Sequence, residues 1–340
     1  MPPTAHAATG HGRIRLLRTP SGRLRRLLLN LALRVSVKWT HGLDIDVERL
    51  RRRQARLERR LSRRVAQLSD AGIPGVRAEW LGAPGPGRDR TVLYLHGGAF
   101  IARSPAAHAA MVRPWCEALG ARALMVDYRL APEHAFPAAV EDGLTAYRGL
   151  LQQGHAAQDI VLAGDSAGGN LALAMLHRLC SAGEPLPACA VLLSPFTDFT
   201  LSSASMVANS RRDPVFTLAF AAAIRALYAP PERYLDPAVS PRFGDISGRP
   251  PMLIQCGSTE MLLDDAVRTA DRAQAAGVAV QLEVWDRMPH VFQAVPTLPQ
   301  SRAATQSIVR YIGEHTGWTP APPADAAAHA RPSPGEAHAV

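Results

Sequence analysis

Short apolar runs and amphipathic stretches alternate along most of this chain. Thr91–Leu95, Ala123–Tyr128, Ile160–Ala163, Ala190–Leu193, Met252–Cys256 and Val280–Trp285 are brief and apolar, which predicts buried strands. A further strand pattern begins near Val76–Leu81, ahead of a Gly/Pro loop at 82–88. Between most of these runs, stretches at roughly 106–119, 137–153, 170–182 and 264–276 repeat apolar residues at helical spacing. Alternating strands and helices predict an α/β fold: a mostly parallel sheet with helices on both faces and right-handed crossovers. The rhythm breaks from 196 to 247. That interval is too long for a plain loop and carries its own helical pattern near Thr217–Tyr228, so it predicts an insertion that caps the body.

Upstream of the first strand, residues 23–71 read as helices, including the charged stretch Val47–Leu68. Leu24, Leu27, Leu28, Leu31 and Val35 fall at helical spacing. Asn30 and Arg34 interrupt the apolar run that a signal peptide would need, so an amphipathic helix is the better reading. The expected organisation is a disordered tail at 1–12, a helical cap segment at 13–72, and an α/β body at 73–195 and 248–318. A cap insertion at 196–247 interrupts the body, and a second Ala/Pro-rich tail follows at 319–340.

At 340 residues and 47% hydrophobic, the chain can bury one large core. Its net charge of +9 sits unevenly: the first 65 residues hold 17 Arg or Lys against 4 Asp or Glu, leaving the remainder net acidic. Coding bias and solvated helix faces account for this most simply. Attraction of the basic N-terminal segment to an anionic membrane surface, as a peripheral contact, or to an acidic substrate is the sharper expectation. No nucleic acid is expected as a partner, because no recognition fold or aromatic interleaving accompanies the charge. Cys116, Cys180, Cys189 and Cys256 lie far apart in apolar contexts without metal-type spacing. They predict free thiols, a reducing cytoplasm and no metal.

Chemistry enters at Gly164-Asp165-Ser166-Ala167-Gly168-Gly169, between an apolar strand and a helix. A serine on a sharp strand-to-helix turn between glycines is the nucleophile elbow of α/β-hydrolases. The turn leaves no room for flanking side chains, and the following helix aims its N-terminal N–H groups at developing negative charge. His96-Gly97-Gly98-Ala99 follows the strand ending at Leu95. The N–H groups of Gly97, Gly98 and Ala99, with that of Ala167, are expected to form an oxyanion hole, while His96 braces the loop. A serine nucleophile needs a base and an acid, in the hydrolase order Ser, Asp or Glu, His. His290, on the loop after the strand ending at Trp285, has the position and order of the base.

These motifs, with Asp127–Pro137 and the segments around Glu260 and His290, resemble those of the bacterial hormone-sensitive-lipase-like esterases over roughly residues 75–315. The resemblance implies the α/β-hydrolase fold with a helical cap and a serine carboxylesterase for short- to medium-chain acyl esters, needing no cofactor. It assigns the acid to Glu260, where the family usually has Asp, with Asp264 as competitor. Ala99 stands where a third glycine is usual, and a positive φ there would strain alanine. Phe196, Phe199, Met206, Phe216 and Phe220 are candidates for an apolar acyl pocket in the cap. Similar esterases often dimerise through an exposed edge strand, so a homodimer stays open. Amide or formamide hydrolysis on the same site also stays open, whereas a non-catalytic ligand receptor is disfavoured by His290 beside Ser166.

Overall fold

A computed structural model describes residues 12–17, 22–36, 38, 45–61, 68–82 and 89–319. The expected tails, apart from Gly12 and Thr319, lie outside these residues, as do loop positions 83–88 and the end of the 47–68 stretch.

The apolar runs form strands. In chain order they are β1 (Gly12–Leu17), β2 (Ser69–Asp70), β3 (Ala78–Leu81), β4 (Thr91–Leu95), β5 (Arg122–Val126), β6 (Ile160–Asp165), β7 (Cys189–Leu193), β8 (Met252–Gly257) and β9 (Val280–Trp285). They join one sheet in the order β1-β9-β8-β7-β6-β4-β5-β3-β2. Only the pairings of β3 with β2 and β5 are antiparallel. Side chains alternate between two cores: Leu93, Leu95, Ile160 and Leu162 enter one, and Val92, Tyr94, Val161 and Ala163 the other. Because helices cover both faces, the central strands read as continuous apolar runs rather than alternating ones.

The helices are α1 (Arg23–Ser36), α2 (Val47–Leu61), α3 (Pro105–Leu119), α4 (Ala138–Gln152), α5 (Ala167–Ala182), α6 (Ala204–Ala208), α7 (Leu218–Tyr228), α8 (Leu263–Ala275) and α9 (Pro299–Thr316). Both α6 and α7 lie between β7 and β8. The hydroxyl of Thr217 caps α7 by accepting from the Phe220 N–H at 3.1 Å. Helix α9 was not anticipated, although Ala304, Ile308, Tyr311 and Ile312 repeat at helical spacing and are all buried.

One correction concerns the segment 13–72, expected as a helical cap segment with helices between 23 and 71. Gly12–Leu17 is a strand, paired parallel with Val280–Trp285 along its whole length. Ile14 and Leu16 alternate with Arg13 and Arg15, a two-residue period. The strand also covers an edge whose N–H and C=O groups would otherwise lack partners. The N-terminal segment thus contributes to the sheet at both edges, since β2 is the opposite end strand.

Candidate active site

Strand β6 runs directly into α5 through Ser166, which holds φ 54 and ψ −115. The turn is possible because its neighbours lack side chains. A Cβ on Gly168 would meet the Leu95 carbonyl at 1.9 Å, and one on Gly164 the Gly168 carbonyl at 2.4 Å. Ser166 is 7% exposed and faces an apolar cavity of about 400 Å³, partly open to solvent. The cavity is lined by Ala99, Ala167, Phe196, Met206, Phe216 and Phe220, with Ala221, Ile224, Met261 and Leu262 completing the wall.

Glu260 and His290 meet on the loops after β8 and β9. Glu260 Oε2 accepts from His290 Nδ1 at 2.8 Å, and the carboxylate is fully buried. Its other oxygen accepts from the Ser194 hydroxyl at 2.8 Å and from the Gly257 N–H. Ser194 Oγ also accepts from the Val291 N–H at 3.3 Å, so one hydroxyl ties the acid to the residue after the histidine. Burial opposes a charge on His290, but the Glu260 hydrogen bond and the charges of Glu260 and Asp213 outweigh it and raise its pKa above 6.5. No hydrogen bond joins Ser166 Oγ to His290. They are linked through Phe216, which lines the serine cavity and sets its ring edge-on to His290 at 4.6 Å between centroids. Such bonds often tighten only when substrate binds.

The loop after β4 supplies donors. Among the described residues, the N–H groups of Gly98 and Ala99, and that of Ala167 at the start of α5, take no partner. Ala99 adopts φ 56 and Phe100 φ 62, so alanine does occupy the left-handed conformation anticipated as strained. Gly98, at φ 128, could not carry a side chain, because a Cβ would meet the Ala102 carbonyl at 2.0 Å.

The sequence matches the family described by the alpha/beta hydrolase fold over residues 92–294. An acetyl-hydrolase of Streptomyces hygroscopicus is 42% identical over 247 residues, covering 71% of this chain and 80% of its own. An esterase of Acinetobacter venetianus is 36% identical over 253 residues, covering 72% and 81% respectively. A solved esterase of the bacterial hormone-sensitive lipase family superposes with a TM-score of 0.80 at 39% identity, over 87% of this chain and 100% of that one. The chain belongs to the bacterial hormone-sensitive lipase family of α/β-hydrolases.

Two expectations for this family member need correction. Gly97 was expected among the oxyanion donors, but its N–H donates to Asp165 Oδ1 at 2.8 Å. The loop turns its first amide into the protein because Asp165, buried one residue before the nucleophile, needs donors. Phe199 was expected to line the acyl cavity. It is fully buried instead, stacked on Phe196 at 4.6 Å and packed against Phe100 and Tyr228. Of the two acids considered, Asp264 turns away from His290 and accepts from the Ser205 N–H at 2.9 Å.

The hydrolase also uses residues that the motifs did not reveal. Asp165 accepts from the Tyr94 hydroxyl at 2.6 Å and lies 3.5 Å from His108 Nε2. Burial would raise its pKa, but the His108 charge and these donors hold it at about 2. Asp213 accepts from the N–H groups of Val215, Phe216 and Met261, fastening the segment between β7 and β8 to the residue after Glu260. Asp265 accepts from the Thr197 and Asp198 N–H groups and from the Ser203 hydroxyl, and burial pushes its pKa up to about 7. Buried single carboxylates leave no periodic trace in a sequence. An acid directly before the elbow serine was the one available signal. From α2, Arg51 reaches the Ile101 and Ala131 carbonyls and pairs with Glu133, holding the N-terminal segment to the Asp127–Pro137 stretch.

Proposed function

We propose that this family member hydrolyses small carboxylic esters of short to medium acyl length through an acyl-enzyme on Ser166. The observation that carries the reading is one cavity bordered by Ser166 and by the unpartnered amides of Ala99 and Ala167, with Phe216 connecting its wall to the Glu260–His290 pair. His290 Nε2 takes the Ser166 proton as Oγ attacks the ester carbonyl. The amides of Gly98, Ala99 and Ala167 hold the resulting oxyanion. Protonated His290, stabilised by Glu260, returns the proton to the leaving alkoxide. Water activated by the same histidine then releases the acid. Phe196, Met206, Phe216 and Phe220 receive the acyl chain. A narrow, apolar cavity walled by these side chains suits short chains better than long ones.

Among similar structures is EstE5 soaked with p-nitrophenyl butyrate, at 35% identity, which makes a four-carbon acyl group a sensible first probe. We further assign the protein to the cytoplasm, supported by four free cysteines, three of them buried. Among the described residues, no helix is long and apolar enough to cross a membrane. A homodimer built by strand pairing would have to use β1 or β2, the end strands of the sheet.

The test is hydrolysis of a p-nitrophenyl ester series of increasing acyl length, beside matched anilides, by wild type and Ser166→Ala. Ester turnover that peaks at short chains and disappears in the variant is expected. Anilide turnover matching that of the esters would make the enzyme an amidase. Turnover that survives in Ser166→Ala would overturn the mechanism.

A further inference from the structure

Helix α1 turns most of its leucines outward. Its inner side sets polar contacts beside Leu29, which packs against Trp285, Met288 and Phe292: Arg26 is buried, Asn30 donates to the Arg287 carbonyl at 3.5 Å, and Arg34 to the Arg212 carbonyl at 3.0 Å. Its apolar stripe faces solvent, with Leu24, Leu27, Leu28, Leu31 and Val35 between 53% and 69% exposed. A helix on a globular body normally does the reverse. All nine large hydrophobic residues exposed among the described residues lie on the N-terminal segment or between β7 and β8; besides these five they are Leu16, Val207, Leu218 and Leu235. The α/β body exposes none.

We propose that this face of α1 is a docking surface for an anionic lipid bilayer. The charge beside it identifies the partner. Helix α1 contains no acidic residue, and Arg53 of α2 reaches the Ser36 carbonyl at its C-terminal end. On α1 itself, the exposed Arg23 and Arg25 flank the stripe, and α2 adds exposed Arg49 and Arg56, while its Arg52 pairs with Glu48 at 2.8 Å. A leucine stripe bordered by arginines matches an interfacial helix, with side chains in the acyl boundary and cations at the phosphates. A second copy would set arginine against arginine, which disfavours self-association through this face.

The surface adjoins the reaction site. Arg287, which receives Asn30, is three residues before His290. Lys38, just past α1, donates to the Ser210 and Asp213 carbonyls, and the Asp213 carboxylate holds the Phe216 N–H of the cavity wall. Docking therefore sets α1 between the bilayer and the loops that carry His290 and Asp213.

The test is co-sedimentation of the full-length protein with phosphatidylcholine vesicles, with and without phosphatidylglycerol. Wild type is expected to bind the anionic vesicles roughly tenfold or more tightly than the neutral ones, with affinity falling as salt rises. The surface variant Leu27→Glu/Leu31→Glu is expected to lose about tenfold or more of that binding while hydrolysing a soluble short-chain ester at the wild-type rate. Equal binding by variant and wild type, or no wild-type binding, would overturn the proposal. So would a wild-type dimer that the double variant converts to monomer, since the stripe would then serve a second copy. Ester turnover is scored separately, so a failed hydrolase reading would not be mistaken for a failed lipid contact.

Discussion

Replacing Glu260 by glutamine changes one atom and should remove nearly all turnover. Two donors, the Ser194 hydroxyl and the Gly257 N–H, converge on Oε1, so the amide oxygen of glutamine must stay on that side. Its NH₂ then faces His290 Nδ1, which in the wild type donates to Oε2 at 2.8 Å. Two donors cannot share a hydrogen bond, so Nδ1 must give up its proton and Nε2 must carry one. A histidine protonated at Nε2 cannot accept the Ser166 proton. An imposed wrong tautomer costs serine hydrolases about 10⁴ in kcat, or about 5 kcal/mol of barrier. With the Ser194 and Gly257 bonds to its side chain and the Asn209 bond to its carbonyl kept, the variant should fold.

The pH profile separates this explanation from simple damage. Activity needs neutral His290, whose pKa is raised above 6.5, so the acid limb of wild-type kcat/KM should lie above that value. Glutamine removes the Glu260 bond and charge, the largest contributions that raise it, and leaves the lesser ones of Asp213 and Asp165. Burial, which lowers the pKa, then dominates, and the limb should move down in pH. The same linkage fixes the stability trend. The raised histidine stabilises the fold fully below its unfolded pKa and ceases to do so as pH climbs through the folded value. Glutamine should therefore destabilise more in acid than in alkali. The assays are p-nitrophenyl butyrate hydrolysis across pH and urea denaturation at two pH values. A loss under about tenfold, or an unmoved acid limb, would refute the tautomer reasoning.

Three further perturbations follow from the geometry. Ala99→Gly should relieve a left-handed alanine worth about 1–2 kcal/mol, offset by about 0.5–1 kcal/mol of unfolded-chain entropy, for a net gain of about 0.5–1 kcal/mol in urea denaturation. A loss of stability would contradict the strain. Asp165→Ala strands the Tyr94 hydroxyl and Gly97 N–H, so a loss of about 2–5 kcal/mol is expected with kcat reduced more than KM is changed. Unchanged kcat would show that Asp165 does not position the oxyanion loop. Deleting residues 1–21 removes β1 and uncovers the β9 edge, so sedimentation should show concentration-dependent association beyond that of the full chain. No change in mass would mean that the edge needs no cover.

Much of the architecture was legible because buried parallel strands leave unbroken apolar runs, and all six of the strong ones form strands. The elbow was legible for a different reason. Gly164 and Gly168 face backbone at distances that no side chain tolerates, so the sequence must carry glycine there. What escaped was decided by long-range contact. Strand β1 exists through pairing with residues some 270 positions away in sequence, visible only in hindsight as a two-residue alternation. Gly97 looked equivalent to Gly98 until Asp165 claimed its amide. Phe199 looked equivalent to Phe196 until Phe100 and Tyr228 enclosed it. Composition cannot say which of two adjacent amides, or which of several phenylalanines, turns inward.

The bracing of the site has a consequence for how such enzymes diversify. Asp165 holds the oxyanion loop from the strand that delivers the nucleophile, and Ser194 and Gly257 hold the acid from the ends of two neighbouring strands. The reacting groups are thus aligned by the sheet itself. Between β7 and β8, the insertion supplies Phe216, Phe220 and Ile224 to the cavity wall and touches the machinery at three points: Asp213, Asn209, which donates to the Glu260 carbonyl at 2.9 Å, and Phe216 against His290. Acyl preference and chemical competence are therefore separable properties of this chain. A transplanted insertion that kept the equivalents of Asp213, Asn209 and Phe216 would change which esters are accepted and leave the reaction itself in register, like a new mould fitted to an unchanged press.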